Sequence, residues 1–217
     1  MKRTLFVVSL VALVLAFLLA AWWYRAERSE RLGFLAQEQA ELFVRPHSPV
    51  LGAEDARVYL VEFTDPACET CAAFSPLVKQ FLENYEGELR LVIRWAPFHE
   101  GSADIVRVLE AARMQGRLWE TLDLLYRTQQ VWTHHHRVYM DPVWPLLPEV
   151  GLDVEQLRRD MDDPRITAII EQDLADARTL GVQRTPGFFV NGRPLEPFGL
   201  EPLVQLIDDE VQESYPQ

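Results

Sequence analysis

The chain contains two cysteines, and they form the motif Cys68-Glu69-Thr70-Cys71 between a strand-like apolar run and a helix-like one. A disulfide across so short a loop removes roughly 2 kcal/mol of chain entropy from the unfolded state, so stability is a weak reason for the pair. A thiol in the first turn of a helix faces the positive end of the helix dipole, which favours the reactive thiolate. We therefore interpret the pair as a redox centre with Cys68 as the nucleophile.

Other interpretations of the cysteine pair remain open on the residues alone. A zinc site would normally need four Cys or His ligands, and no second pair follows at similar spacing. The two thiols could instead hold copper(I) together with an outside ligand, because soft thiolates select that ion. They could also be bystanders in a redox-silent binding module. His134, His135 and His136 are adjacent and cannot easily point at one ion, so we expect a polar loop there and no metal site.

The N-terminus has the pattern of a membrane anchor. Lys2 and Arg3 precede an apolar run over residues 5–21, which aromatic residues close at 22–24. A helix needs about 20 residues to cross a bilayer, and bulky aromatics suit the membrane interface better than a signal-peptide cleavage site. We predict a retained transmembrane helix over residues 1–25, with a cleaved signal peptide as the alternative. The basic residues before the span place the rest of the chain outside the cytoplasm, on the periplasmic side of a bacterial inner membrane.

The composition indicates one acidic globular unit beyond this segment. The net charge is −12, and every acidic residue lies beyond residue 25. Nucleic acid is therefore an unfavourable partner, and we interpret the acidity as a contribution to solubility. We assign residues 26–49 to a stalk or packing helix with a linker, and residues 50–217 to a single domain that carries an insertion.

The hydrophobic pattern of this domain begins with a predicted βαβ unit. The apolar run Val58–Thr64 is too continuous for a one-sided strand, so we expect it to be buried on both faces of a sheet. A helix follows from the cysteines to about residue 84, and residues 89–95 read as a second, parallel strand.

A helical region and a ββα unit follow. From about residue 99 to 181 the apolar residues recur with the 3.6-residue period of helices, which predicts an all-helical insertion. The apolar run at residues 187–190 and the turn Asn191-Gly192 then predict an antiparallel hairpin. A last amphipathic helix is predicted over residues 200–211.

This order of elements resembles the thioredoxin fold, and the helical insertion resembles the DsbA-like branch of thiol-disulfide oxidoreductases. The most specific matching pieces are the segments from Glu62 to Cys71 and from Thr185 to Gly192. The resemblance implies an exported enzyme that exchanges disulfides with client proteins, in which Cys68 attacks, Cys71 resolves and a redox partner resets the pair. It implies no organic cofactor, because the electrons pass through the sulfurs. It does not indicate whether the direction is oxidation, isomerisation or reduction.

Three further positions take roles from the same resemblance. Glu62 stands six positions before Cys68 in an otherwise apolar strand, where proteins of this fold often keep a buried acid beneath the second cysteine. Burial raises the pKa of a carboxyl group, so Glu62 could help to deprotonate Cys71; the alternative is a structural glutamate paired with a basic residue. Thr185-Pro186 resembles the cis-proline loop of the family, which offers backbone groups to an extended client peptide.

Overall fold

The computed structural model describes residues 7, 10–24, 27, 40–135 and 137–216. The central sheet contains five strands, β1 Val50–Gly52, β2 Val58–Thr64, β3 Leu89–Trp95, β6 Gly187–Val190 and β7 Arg193–Pro194. Their spatial order is β1-β3-β2-β6-β7. Strands β2 and β3 are parallel, as predicted, and the other neighbouring pairs are antiparallel. The sheet therefore combines a βαβ half with a ββα half.

Strand β2 occupies the centre of the sheet because its side chains are apolar on both faces. Val58 and Leu60 belong to one buried cluster, whereas Val61 and Phe63 belong to a second cluster on the opposite face. Successive residues of a strand point to opposite faces, so the continuous apolar run fills both cores. Glu62 lies on the face of Leu60 and is buried with it.

Helices cover the sheet and form most of the insertion. Their bounds are α2 Glu69–Asn84, α3 Ser102–Met114, α4 Leu118–Arg127, α5 Gln129–Trp132, α6 Val154–Asp160, α7 Pro164–Thr179 and α8 Leu200–Ser214, with short 3-10 turns at Ala40–Leu42 and Leu147–Val150. Helix α2 connects β2 to β3, and α8 follows the hairpin of β6 and β7. Both helices therefore occupy the predicted positions of the βαβ and ββα halves.

The N-terminal predictions fall partly outside the described residues. Residues 10–24 are helical (α1), and within the part of the chain that the structure describes no helix has both the length and the hydropathy to cross a membrane. Within the predicted segment 26–49, residues 26 and 28–39 are not described. The short strand β1 was not predicted, because three residues are too few to show a period.

The insertion is not entirely helical, and this corrects the prediction. A second sheet pairs β4 Thr133–His134 with β5 Arg137–Val138 in antiparallel register. His135 adopts a positive φ of 52°, a conformation that ends a helix and suits a tight turn. The backbone N–H of Tyr139 then donates to the carbonyl of Trp132 at 2.8 Å, so hairpin bonds replace helical ones after α5.

A buried charge cluster ties the segment before β1 to the domain. The Arg94 guanidinium donates to Asp173 at 2.9 and 2.7 Å, to Asp176 at 2.6 Å and to the carbonyl of Leu42 at 2.6 Å. The Arg45 side chain binds Asp176 through two bonds of 2.8 and 2.9 Å. Arg94 and Asp173 are fully buried. The cluster therefore joins β3, α7 and the N-terminal segment in a region without solvent.

Candidate functional site

Cys68 lies at the start of α2, where the local sequence places it as the N-cap residue. Its backbone is extended, with φ −80° and ψ 121°, and its Sγ lies 3.3 Å from the carbonyl oxygen of Thr185. Cys71 is one turn further along α2, so its side chain lies on the same face of the helix as that of Cys68. Both thiols are free and buried, with 6 % of Cys68 and 0 % of Cys71 exposed.

The surroundings of Cys68 favour its thiolate. The pKa of Cys68 is lowered from 9.0 to about 5, chiefly because the Cys71 side chain forms a hydrogen bond to its sulfur. Burial opposes this change, while bonds with the Thr185 side chain and with the backbone of Cys71 and Thr70 add to it. Backbone N–H groups at a helix N-terminus have no partner within the helix, so they are available to a thiolate.

Cys71 has the opposite tendency. Burial raises the pKa of Cys71 well above 9.0, and the hydrogen bond to Cys68 and the negative charge of Glu62 raise it further. A negative charge deep in the protein is unfavourable because solvent cannot stabilise it. The pair is therefore asymmetric, with one sulfur that ionises readily and one that keeps its proton.

The structure places Glu62 close to the two cysteines. Glu62 is 4 % exposed, and burial raises its pKa from 4.5 to about 7, although a hydrogen bond with Thr64 opposes the change. A cavity of about 20 Å³ lies against Glu62, with Lys79, Asp123 and Tyr126 among its lining residues. This volume suffices for about one water molecule, and most of the remaining lining is apolar, including Val78 and Ile93.

Thr64 and Tyr126 belong to the site, although the sequence did not indicate them. The two hydroxyl groups lie 2.8 Å apart, and the Thr64 hydroxyl also bonds to Glu62 and to Cys71. Thr64 could have been found, because it stands two residues after Glu62 and therefore shares its face of the strand. Tyr126 lies in the insertion, 62 residues away, and no local signal identifies it.

The Thr185–Pro186 peptide bond is cis and lies beside the cysteines. Pro186 also lines a groove of about 420 Å³, together with Phe188 and Phe198. Phe198 is 40 % exposed and its ring lies 5.1 Å from that of Phe74. Gln183, Arg184 and Glu196 also line this groove, so it offers polar and apolar groups beside the cis peptide bond.

The predicted polar loop around the histidines contains His134 and His135, both exposed, while His136 lies outside the described residues. Among the residues described, no three His, Cys, Asp or Glu side chains are close enough together to hold a metal ion.

We expect Glu62→Gln to remove a pH dependence of stability. The folded protein holds the Glu62 proton more tightly than the unfolded chain, since the pKa is about 7 against 4.5. Relative to the glutamine variant, wild-type stability should therefore fall by about 3 kcal/mol in total as pH rises from 4.5 through 7. The Cys68 thiol makes an opposite contribution over this range, but it is present in both proteins. Urea unfolding of the reduced proteins between about pH 4 and about pH 8.5 measures the difference.

The matched control is Glu83→Gln, which removes an exposed carboxyl group from α2. Its stability should follow that of the wild type at every pH. An equal gap between wild type and Glu62→Gln across the whole pH range would contradict the raised pKa of Glu62.

Known proteins share this fold and these elements. The sequence profile of the thioredoxin family matches residues 45–209. A thioredoxin-like oxidoreductase from Silicibacter pomeroyi DSS-3 is 34 % identical, with 81 % of this chain and 98 % of that one covered and a TM-score of 0.69. BdbD from Bacillus subtilis, in its oxidised form, is 23 % identical over 76 % of this chain and 93 % of its own, with a TM-score of 0.68.

One curated relative is a much longer protein with a different named function. The Na(+)/H(+) antiporter NhaA of Herminiimonas arsenicoxydans is 33 % identical over 190 residues, which cover 86 % of this chain but 30 % of the antiporter. The chain thus spans less than a third of that protein, and ion transport does not transfer to it. The profile match, the 34 % identity to a thioredoxin-like oxidoreductase over nearly its whole length and the shared fold agree: the chain belongs to the thioredoxin family.

Proposed function

We propose that the protein is a membrane-anchored, periplasm-facing enzyme that exchanges disulfides with client proteins through Cys68 and Cys71. The observation that carries the proposal is the opposite behaviour of the two thiols, since the pKa of Cys68 is lowered to about 5 and that of Cys71 is raised. Exchange begins with a thiolate and must keep the second thiol unreactive until it is needed. This asymmetry serves both requirements.

In the reducing direction, the Cys68 thiolate attacks one sulfur of a client disulfide. The new bond joins Cys68 to the client, and the other client sulfur leaves as a thiolate. Glu62 then accepts the Cys71 proton, and the Cys71 thiolate attacks the Cys68 sulfur, so that the client departs with two electrons and the enzyme holds the disulfide. The same steps in reverse oxidise a client dithiol, and a redox partner that resets the pair determines the direction.

The client would lie in the groove beside Pro186. The Thr185 carbonyl, which faces Cys68 at 3.3 Å, is an acceptor for a client backbone N–H, and the exposed ring of Phe198 offers apolar contact. Backbone bonds of this kind are independent of client sequence, so they suit many clients.

The membrane anchor is supported by the character of α1. Its large apolar side chains are exposed, for example Leu13 at 68 % and Phe17 at 73 %, and water is an unfavourable environment for so continuous an apolar surface. Lys2 and Arg3 precede it in the sequence, which supports a cytoplasmic N-terminus and a domain in a compartment where disulfides persist.

A copper(I) site is less well supported than disulfide exchange. Copper(I) would need both sulfurs as thiolates, whereas burial and the charge of Glu62 raise the pKa of Cys71. The raised pKa of Cys71 keeps this thiol protonated until the second step of exchange, and for the same reason it opposes a metal site built from two thiolates.

The proposal is tested by trapping clients with Cys71→Ser. The variant keeps the attacking thiolate but lacks the sulfur that releases the client, so mixed disulfides should accumulate in intact cells. Nonreducing electrophoresis detects them as adducts that disappear with dithiothreitol. The double variant Cys68→Ser, Cys71→Ser is the control and should form none. Equal adducts in both variants, or none with Cys71→Ser, would refute exchange through this pair.

A further inference from the structure

The residues that lead from β2 into Cys68 are held by the insertion. The Asp65 carboxylate is fully buried, and one of its oxygens accepts hydrogen bonds from the backbone N–H of Ala67 at 2.8 Å and from the Ser102 hydroxyl. The other oxygen lies close to the start of the insertion, 2.7 Å from the N–H of Phe98 and 2.9 Å from that of His99, with the His99 ring nitrogen Nδ1 at 2.7 Å. One carboxylate thus joins the active-site loop to the insertion.

A second hydrogen bond joins the same loop to a later part of the insertion. The side-chain amide of Gln129, the first residue of α5, donates to the Pro66 carbonyl at 2.8 Å. Gln129 is 5 % exposed, and 63 residues separate it from Pro66. A buried amide with a buried carbonyl partner is a fixed contact, because neither group can turn to water instead.

These contacts act directly next to the nucleophile. The backbone N–H of Cys68 donates to the carbonyl of Asp65 at 3.0 Å, so the turn that Asp65 and Pro66 form sets the position of the Cys68 backbone. The Cys68 sulfur must also meet the N–H groups at the start of α2 and the groups of Thr185. Hydrogen bonds to a thiolate weaken steeply with distance and angle, so a small displacement of the loop would reduce them.

We propose that Asp65 and Gln129 are positioning residues through which the insertion holds Cys68 at the N-terminus of α2 and thereby sets its reactivity. The inference rests on the proposed role of Cys68 as the nucleophile. It adds that the insertion holds the attacking sulfur in the geometry that ionises it.

Gln129→Met tests the proposal, because methionine keeps the size of the side chain and removes the bond to Pro66. Gln115→Met is the matched control: the Gln115 amide also donates to a backbone carbonyl of the insertion, that of Asp153, at 3.1 Å. Both variants lose an amide-to-carbonyl bond, but only Gln129 contacts the active-site loop. Ser102→Ala is a second test that removes one bond to Asp65 and truncates a single hydroxyl group.

The readout is the rate at which iodoacetamide alkylates Cys68 in the reduced full chain near pH 5, followed by mass spectrometry. At a pH equal to the wild-type pKa, a rise of half a pKa unit would lower the thiolate fraction from about one half to about one quarter and slow the reaction about twofold. We expect a loss of this size in Gln129→Met, a smaller one in Ser102→Ala and none in Gln115→Met. Urea unfolding of each variant reports stability separately, and a merely structural role would lower stability without changing the pH profile of alkylation.

Unchanged alkylation in both Gln129→Met and Ser102→Ala would overturn the inference, as would an equal slowing in Gln115→Met. The proposed function fails differently: wild-type Cys68 itself would then react like an ordinary thiol. The assay needs no client protein, so the two failures are distinguishable.

Discussion

Cys68→Ser is expected to reduce disulfide exchange to the uncatalysed rate. A serine hydroxyl is not ionised at neutral pH, whereas the pKa of Cys68 is lowered to about 5, so the wild-type sulfur is largely thiolate there. The loss is complete because Cys71 cannot replace it: burial raises the pKa of that thiol. Reduction of insulin, or oxidation of a dithiol peptide, by the purified domain measures the effect.

The pH dependence of Cys68 alkylation in the wild type is an independent check of this prediction. Alkylation of Cys68 should rise with pH, with a midpoint at about 5, and then level off. Values of roughly 3.5 and about 7 are typical of strongly oxidising and strongly reducing members of this superfamily, so the thiol is intermediate. Residual exchange by Cys68→Ser, or a midpoint near the ordinary 9.0, would contradict the assignment of the nucleophile.

Arg94→Met is expected to cause the largest loss of stability of any single substitution proposed for this protein. It leaves the carboxylates of Asp173 and Asp176 without the guanidinium that binds them at 2.6–2.9 Å in a region closed to water. Removal of one partner of a buried ion pair costs about 3–5 kcal/mol. Asp176 keeps its two bonds to Arg45, so we expect most of this cost to come from Asp173, which is fully buried and loses its guanidinium partner. Urea unfolding at neutral pH gives the free energy of unfolding.

Arg117→Met is the matched control, since Arg117 pairs with Glu120 at 3.2 Å but is 48 % exposed. Exposed pairs contribute about 1 kcal/mol or less, so this variant should remain close to the wild type. If both arginine variants lost the same stability, the buried cluster would not hold the N-terminal segment and α7 together in the way that its contacts indicate.

The elements near the cysteines were largely predictable, because their signals are local. The apolar run of β2, the motif at the start of α2 and the turn Asn191-Gly192 each specify a short piece of backbone. In the structure both turn residues have positive φ, 47° and 83°, as a two-residue hairpin requires. Strand β1 and the hairpin of β4 and β5 escaped prediction, because elements of two or three residues show no period.

The partners of the predicted residues were not predictable in the same way. Tyr126 reaches Thr64, and Gln129 reaches Pro66, across more than 60 residues of chain. Arg94 is a charged residue within a predicted strand, and only the structure shows that α7 supplies two carboxylates that allow its burial. Contacts between distant segments depend on how helices pack against the sheet, and no periodicity of a single segment contains that information.

The sequence alone determined which reactive side chains are present and which helices and strands carry them. Two thiols at a helix start, an acid in an apolar strand and a proline before a hairpin are properties of neighbouring residues. Only the tertiary structure decided which sulfur ionises and which carboxyl group keeps its proton, since burial raises the pKa of Glu62 and Cys71 while fixed hydrogen bonds lower that of Cys68. The physical reason is that desolvation depends on everything packed around a group, and most of what surrounds this site comes from remote parts of the chain.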